Sequence, residues 1–183
     1  GFALSDGLRE DCPAAFAALS GKGIALSIFS GDTPSTVDEL ARRLDVTHAL
    51  GGMTPEGKHA ALSALQKDGA VAAMVGDGVN DAPVLAQAQV SVAMGGGTDL
   101  ARNQADIVLL SGRLASLADG LDLSRRALTI IRQNLWWSFA YNFTAVPLAM
   151  SGLVTPWMAG IGMSASSLLV VLNALRLQRR RPR

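Results

Sequence analysis

Cysteine is almost absent from this chain of 183 residues, and basic residues are not in excess. The single cysteine, Cys12, excludes a disulfide framework and a zinc site made of cysteines alone. Lysine and arginine number 16 against 15 aspartate and glutamate residues, so the chain lacks the basic surplus typical of nucleic-acid-binding proteins. We therefore expect no nucleic-acid partner, and a core that forms without disulfide or metal support.

Acidic residues are missing from the last third of the chain. All of them lie at or before Asp122, whereas six arginines and no acid occupy residues 127–183. This asymmetry predicts two parts that lie in two different solvents. We expect residues 1–124 to form a domain in water, and residues 125–183 to form a stalk, two membrane-spanning helices and a basic cytoplasmic tail.

Two uncharged stretches in the second part are long enough to suggest membrane spans. No charged residue occurs in residues 136–153 or 158–175, and each stretch is at the short end of the length that crosses a hydrocarbon layer of about 30 Å. Pro156 lies between them, and proline cannot extend a helix without the loss of a backbone hydrogen bond. The pattern predicts a two-helix transmembrane hairpin; a buried helix pair of a soluble protein is the alternative.

Arginines flank only the outer ends of the predicted hairpin. They precede it at Arg125, Arg126 and Arg132, and they follow it at Arg176 and within residues 179–183. Because positively charged flanks stay in the cytoplasm, both ends of the hairpin are expected there. The chain is therefore predicted to be multi-pass in the cytoplasmic membrane, with the lipid bilayer as a partner.

Short apolar runs alternate with amphipathic segments in residues 1–124. The predicted strands are residues 24–29, 71–75, 90–93 and 107–110. The predicted helices open with proline and are residues 13–19, 34–44, 55–66 and 83–87, with Thr33 and Thr54 as caps of the second and third. Apolar strands separated by helices predict an α/β fold with a parallel sheet that is covered on both faces.

Polar residues cluster directly after two of the predicted strands. Ser30, Gly31 and Asp32 follow the first, and the run Gly-Asp-Gly-Val-Asn-Asp at 76–81 follows the second. Carboxylates on a glycine-rich loop can hold Mg²⁺, while a hydroxyl and backbone N–H groups can bind phosphate oxygens. Lys58 would add a positive charge to a transferring group. Each motif alone is compatible with ordinary turn chemistry, but together they favour phosphoryl transfer.

Several segments of this part match motifs of one known family. Residues 76–83, GDGVNDAP, look like a hinge motif; residues 30–32, SGD, look like a phosphate-binding motif; and Lys58 matches the lysine of a third motif. Further matches are Asp6, Leu8 and Arg9, and the segment 94–106. With these motifs the sequence resembles the P-type ATPases of the haloacid dehalogenase-like superfamily. The resemblance implies a Rossmann-like fold in which residues 1–124 are the C-terminal part of a phosphorylation domain.

The resemblance also implies roles for individual residues, with ATP and Mg²⁺ as cofactors. The implied catalytic residues are Ser30, Gly31, Asp32, Lys58 and Asp81. The implied cofactor-binding residues are Gly76, Asp77, Gly78 and Asn80. Asp77 would hold Mg²⁺, and Asp81 would support the carboxylate cluster and contribute to the same metal site.

Four residues of the predicted hairpin resemble the transmembrane motif of copper(I) exporters. They are Tyr141, Asn142, Met163 and Ser167. Met163 and Ser167 are four residues apart and share a helix face, and a thioether is a soft ligand that suits Cu(I). The alternative is that the polar groups only join helices and that Met163 fills space. Because the hairpin contains no carboxylate, unlike zinc- and calcium-type pumps, the resemblance favours copper over zinc.

Serine at position 30, where the family usually has threonine, is similar to one copper branch. That branch serves cytochrome oxidase assembly, and the end of the second predicted span is also similar to it. Detoxifying export is the competing role. In either case the resemblance implies a copper chaperone as a partner.

Several parts of a complete pump are missing from the sequence. The chain has no DKTG, which carries the phosphorylated aspartate of the family, and no TGE or Cys-Pro-Cys. We therefore expect this chain to be inactive alone, and the remaining N-terminal part of the pump to be its partner. Two rivals are a membrane-anchored phosphatase, which is disfavoured because no D-x-D precedes Ser30, and a non-catalytic metal-binding or regulatory fragment.

Overall fold

The computed structural model describes residues 8–76, 81–96, 102–103 and 105–178. The chain divides into two compact units, residues 1–118 and 119–183. Short helices and parallel strands make up the first unit, and two long helices dominate the second.

Four helices and five strands of the first unit have described bounds. The helices are α1 (Cys12–Ser20), α2 (Pro34–Leu44), α3 (Pro55–Lys67) and α4 (Ala82–Gln87). The strands are β1 (Ser27–Phe29), β2 (His48–Leu50), β3 (Ala73–Gly76), β4 (Val90–Met94) and β5 (Ile107–Leu109). All the pairs are parallel: β1 pairs with β2, and β4 lies between β3 and β5.

The sequence explains where these helices begin. Each of the four has proline in its first turn. A backbone N–H has no partner within the helix at this position, so the N–H that proline lacks costs no helical hydrogen bond. The predicted cap of α3 is confirmed, because the Thr54 hydroxyl accepts a hydrogen bond from the Gly57 N–H at 3.1 Å. Thr33 stands at the cap position of α2, but its hydroxyl contacts that of Thr36 at 2.8 Å and does not accept from a backbone N–H.

The strands form two parallel sheets, whereas the sequence predicts one. The α/β class and the parallel pairing are confirmed, but β1–β2 and β3–β4–β5 are separate sheets. Strand β2 is absent from the prediction because His48, Ala49 and Leu50 form no apolar run. His48 and Leu50 are exposed, and the His48 ring instead contacts the Ser27 hydroxyl of β1 at 3.0 Å.

Among the described strands, burial is deepest in β4, which has neighbours on both sides. In β4, Val92 and Ala93 are fully buried and Met94 is nearly so, with Leu109 of β5 packed against this strand. A second cluster joins Cys12 of α1 to the end of α2. Burial raises the pKa of the Cys12 thiol, as expected for a core residue without a charged role.

A side-chain hydrogen-bond cluster joins β4 to the residue before β5. One oxygen of Asp106 accepts from the N–H of Ser91 at 2.8 Å and from its hydroxyl at 2.7 Å, and the Asp106 N–H donates back to that hydroxyl at 2.9 Å. These bonds from Ser91 hold the pKa of Asp106 below its usual value. The cluster satisfies Ser91, which is the buried polar residue of this sheet.

Two of the first described residues form hydrogen bonds with the segment where the next helix, α5 (Ala115–Met150), begins. Arg9 Nη1 donates to the Gly112 carbonyl at 2.8 Å. The Asp11 carboxylate accepts from the Ala115 N–H at 3.2 Å. A helix start has unpaired N–H groups, so Asp11 acts as a cap supplied from a distant part of the chain.

The second unit consists of most of α5 and of α6 (Pro156–Leu175). The two helices meet through polar contacts: Trp137 Nε1 donates to Ser166 Oγ at 3.2 Å, and Asn173 Nδ2 donates to Asn134 Oδ1 at 2.9 Å. The predicted stalk and first span are one continuous helix, because Pro147 lies in the last turn of α5 and removes only one of its hydrogen bonds.

One helix of the described residues, α6, has the length and composition of a membrane span. It contains 20 residues, its most apolar window has a mean hydropathy of 1.7, and none of that window is buried. This agrees with the second predicted span. The first predicted span, within α5, stays a prediction.

Gly95, directly after β4, provides a test of how the three-stranded sheet is packed. A Cβ there would lie 2.6 Å from the Leu109 carbonyl oxygen, whereas a Cβ at Gly96 would meet nothing within 4 Å. We expect Gly95→Ala to lower the free energy of unfolding by about 1–3 kcal/mol, because backbone must move to admit the methyl group. Denaturant unfolding in detergent, followed by circular dichroism, measures this. Equal effects of Gly95→Ala and the control Gly96→Ala would contradict the packing described.

Candidate functional site

The Ser30-Gly31-Asp32 turn lies directly beyond the carboxyl end of β1. The Asp32 N–H donates to the Ser30 hydroxyl at 3.1 Å, and that hydroxyl donates to the Asp32 carboxylate at 3.2 Å. Both bonds are local, and they fix the turn before α2 begins. The turn therefore presents a hydroxyl, a carboxylate and backbone at a strand end, where parallel α/β sheets bind their ligands.

Backbone hydrogen bonds join this turn to the loop after β2. The Ser30 N–H donates to the Leu50 carbonyl at 2.9 Å, and the Met53 N–H donates to the Ser30 carbonyl at 2.9 Å. Gly51 lies so close to Pro34 that a Cβ there would be 2.7 Å from the Pro34 Cα. Glycine at 51 thus lets the two loops pack together, and the second of them leads straight into α3.

Lys58 and Asp81 form an ion pair between α3 and the start of α4. Lys58 Nζ lies 2.7 Å from Asp81 Oδ1, and each side chain is only 15% exposed. A pair this shielded from water is screened less by salt than a surface pair is. The sequence predicts both residues as site members, and the structure brings them together although they are 23 positions apart.

Gly76, the last residue of β3, makes room for the Asp81 carboxylate. A Cβ at position 76 would lie 3.1 Å from the Asp81 Cβ and 3.2 Å from its Oδ2. The side chain of Asp81 does not cap α4, although Asp81 stands at the cap position. Its carboxylate instead has one oxygen on Lys58 and the other beside the end of β3.

Residues at the start of α3 form hydrogen bonds with one another. Thr54 caps Gly57, and the backbone N–H of Glu56 together with the Thr54 hydroxyl holds the pKa of the Glu56 carboxyl below its usual range. Negative charge at a helix start is stabilising. The N-terminal turn of α3 therefore serves to fix the helix, and hence Lys58, in place.

Asp81, directly before α4, offers a carboxylate of the kind that a magnesium ion uses as a ligand. No group of three or more His, Cys, Asp and Glu side chains within the described ranges could hold a metal ion. Magnesium needs only one or two carboxylates, with water as its other ligands, so Asp81 and Asp77 would suffice. The predicted Asp77, Gly78 and Asn80 lie outside the described residues, as do Asp6 and residues 97–101.

The four predicted cargo residues are divided between the two long helices. Tyr141 is half-buried, and a Cβ on Gly162 of α6 would lie 2.8 Å from its hydroxyl oxygen. Asn142, Met163 and Ser167 are exposed on this helix pair. Of the four, only Tyr141 has a described contact with the other helix, so the structure does not bring the predicted ligands together.

Some residues that organise these sites are not predicted from the sequence. Asn173 bonds to Gln133 at 3.2 Å as well as to Asn134, and Trp137 bonds to Ser166. The available signal was the isolated asparagine in the apolar stretch 158–175, because a polar group there needs a protein partner. Asp11 gives no such signal, since its partner is more than 100 residues away.

Known proteins are similar to this chain both in the first unit and in the two long helices. Residues 1–89 match the haloacid dehalogenase-like hydrolase family. The chain is 42% identical to a copper-exporting P-type ATPase of Bacillus subtilis (strain 168), over 97% of this chain and 22% of that protein. The chain thus spans about a fifth of that relative's length.

Two solved structures are also similar. A zinc-transporting PIB-type ATPase in the E2.Pi state matches with a TM-score of 0.89 at 35% identity, over 96% of this chain and 29% of the other. The catalytic domain of the CPx-ATPase CopB-B matches with a TM-score of 0.59 at 38% identity, over 63% of this chain and 46% of the other.

The Lys58–Asp81 pair predicts a strong energetic coupling across the site. In a double-mutant cycle with Lys58→Met and Asp81→Asn, we expect a coupling of about 1–3 kcal/mol, because each single change leaves a shielded partner without its counterpart. Denaturant unfolding of the four proteins measures it. The control cycle is the exposed pair Arg43 and Glu39 on α2, whose 2.7 Å contact should couple by about 0.5 kcal/mol or less. Equal coupling in the two cycles would show that the Lys58 pair has no special shielding.

Proposed function

Because this chain belongs to the heavy-metal P-type ATPases of the haloacid dehalogenase-like superfamily, we propose that it is the C-terminal part of a pump that exports Cu(I) at the expense of ATP. The observation that carries the ATP-driven part of this proposal is the meeting of Lys58 and Asp81 at the carboxyl end of β3, because that pairing assembles a charged site from two separate motifs.

In this proposal the first unit binds and orients the phosphoryl group. Ser30, Gly31 and Asp32 would offer hydroxyl and backbone donors to its oxygens, and the Lys58 ammonium would bring positive charge to them. Asp81 would hold Lys58 in position. Mg²⁺, held by Asp77 and Asp81, would supply charge that offsets the negative charge of the phosphate oxygens.

The phosphorylated aspartate would come from the part of the pump that precedes this chain. Strands β1 and β3 each have one described partner, and their central residues are only half-buried, whereas β4 has two partners and is deeply buried. Unpaired strand edges readily accept another strand. We propose that the preceding segment, with its DKTG aspartate, pairs at one or both of these edges and so brings the nucleophile to Lys58.

The second unit would carry the metal. Relatives of this chain include copper-exporting and zinc-transporting pumps, so the metal must be argued from the residues of α5 and α6. The chain has no acid after Asp122, so neither the end of α5 nor α6 offers the hard carboxylate ligand that would favour zinc over copper(I). Met163 offers a thioether to a soft ion, and Tyr141, Asn142 and Ser167 would line the same path.

The same helices support a proposal for the location of the pump. We propose a multi-pass protein of the cytoplasmic membrane, in which both outer ends of the α5–α6 pair face the cytoplasm because the arginines lie there. A role in cytochrome oxidase assembly, as opposed to detoxification, rests on Ser30 and the sequence of α6. A copper chaperone would deliver the metal in either role.

Asp77→Asn in the complete pump tests the proposed phosphoryl chemistry. We expect Mg²⁺-dependent phosphoenzyme formation from radiolabelled ATP to be abolished, because the neutral amide is a poor ligand for a hard cation. The control is Asp68→Asn, which changes an acid at the end of α3, away from the predicted motifs. Phosphoenzyme at the wild-type level in Asp77→Asn would remove Asp77 from the site.

Met163→Leu tests the proposed cargo. The substitution keeps size and hydrophobicity but removes the sulfur, so we expect Cu(I)-stimulated ATP hydrolysis by the complete pump to need a higher metal concentration, by roughly tenfold if one ligand is lost. Met158→Leu, a change of another exposed methionine on α6, is the matched control. Unchanged metal activation in Met163→Leu would exclude Met163 as a ligand.

A further inference from the structure

A cavity of about 590 Å³ lies between the early part of α5 and the end of α6, within the second unit. Its polar lining consists of Arg125, Arg126, Thr129, Gln133 and Arg176, and two apolar residues complete it. The described lining residues include three guanidinium groups and no carboxylate. A cavity of this size and charge can hold a small anionic group.

Arg176 is held in place by the contacts between the two helices. Its Nη1 donates to Asn173 Oδ1 at 3.0 Å, and Asn173 in turn bonds to Gln133 and Asn134 of α5. This chain of side chains leaves less freedom to Arg176 than an isolated surface arginine has. Ordering of a long side chain before a ligand arrives lowers the entropy lost on binding.

The position of the cavity on the helices indicates where its ligand comes from. The cavity lies at the level where the uncharged stretches end, because Gln133 precedes Trp136 by one turn and Arg176 directly follows Leu175. The nearest acid on α5, Asp122, lies one turn before Arg126 and does not line the cavity. Guanidinium groups bind phosphate oxygens with two parallel hydrogen bonds.

We propose that this cavity binds the phosphate of an anionic phospholipid on the cytoplasmic side of the membrane. The proposal depends on the membrane placement of α5 and α6 given above. The phosphate would bind Arg126 and Arg176, with Gln133 as a further donor, and the acyl chains would lie along the exposed apolar surface of the helices. Bound lipid would join the stalk part of α5 to the end of α6.

The test is native mass spectrometry of the complete pump released from nanodiscs that contain equal amounts of phosphatidylcholine and phosphatidylglycerol. We expect the wild type to retain phosphatidylglycerol preferentially. Arg126→Gln with Arg176→Gln should lower that preference roughly tenfold, since two cations that contact the phosphate are lost. Circular dichroism and ATP hydrolysis in the same nanodiscs check that the variant is folded.

The matched control is Arg132→Gln, which removes an exposed arginine of α5 that does not line the cavity. We expect it to keep the preference for phosphatidylglycerol. An equal loss in Arg132→Gln would indicate general attraction to charge and overturn the site. Displacement of the lipid by millimolar inorganic phosphate would assign the cavity to a soluble anion and also overturn the proposal.

Failure of this proposal is distinguishable from failure of the proposed function. If the pump enters nanodiscs and hydrolyses ATP but retains no phosphatidylglycerol, the lipid site alone is wrong. If the protein does not insert into nanodiscs at all, the membrane placement of α5 and α6 is wrong, and the lipid site is wrong with it.

Discussion

The ion pair between Lys58 and Asp81 is the interaction on which the described site depends. It joins α3 to α4, and three other features keep it in place. Thr54 fixes the start of α3, Gly76 leaves space for the Asp81 carboxylate, and α4 begins directly after Asp81. Asp81 already holds the Lys58 ammonium group at the end of a parallel strand. Lys58 can therefore stabilise an incoming phosphate without the entropy cost of ordering a free side chain.

Local features of the sequence predicted much of the first unit. Prolines set the starts of the helices, with α2 predicted over its observed length, and β-branched runs predicted four of the five strands with described bounds. The short β2 and the division into two sheets were not predicted, since both depend on contacts between distant segments. In the second unit, the stalk and the first span were predicted as successive segments, and the structure forms them as one helix.

The candidate site was predictable as a set of residues but not as an arrangement. The motifs identified Ser30, Lys58 and Asp81, yet no spacing in the sequence indicates that Lys58 pairs with Asp81 and not with Asp32. The structure also adds interactions that motifs do not contain, such as the cap that Asp11 provides to α5. These arise from the fold that surrounds the motifs, and a distant partner leaves no local pattern.

The central claim is that Lys58, held by Asp81, faces the transferred phosphoryl group. The most direct measurement is a crystal structure of the complete pump with beryllium fluoride as the phosphoryl mimic. The account predicts that Lys58 Nζ lies within hydrogen-bond distance of a fluoride, with Asp81 still in contact with the ammonium group. A structure in which the fluoride is bound and Lys58 points away from it would contradict the account.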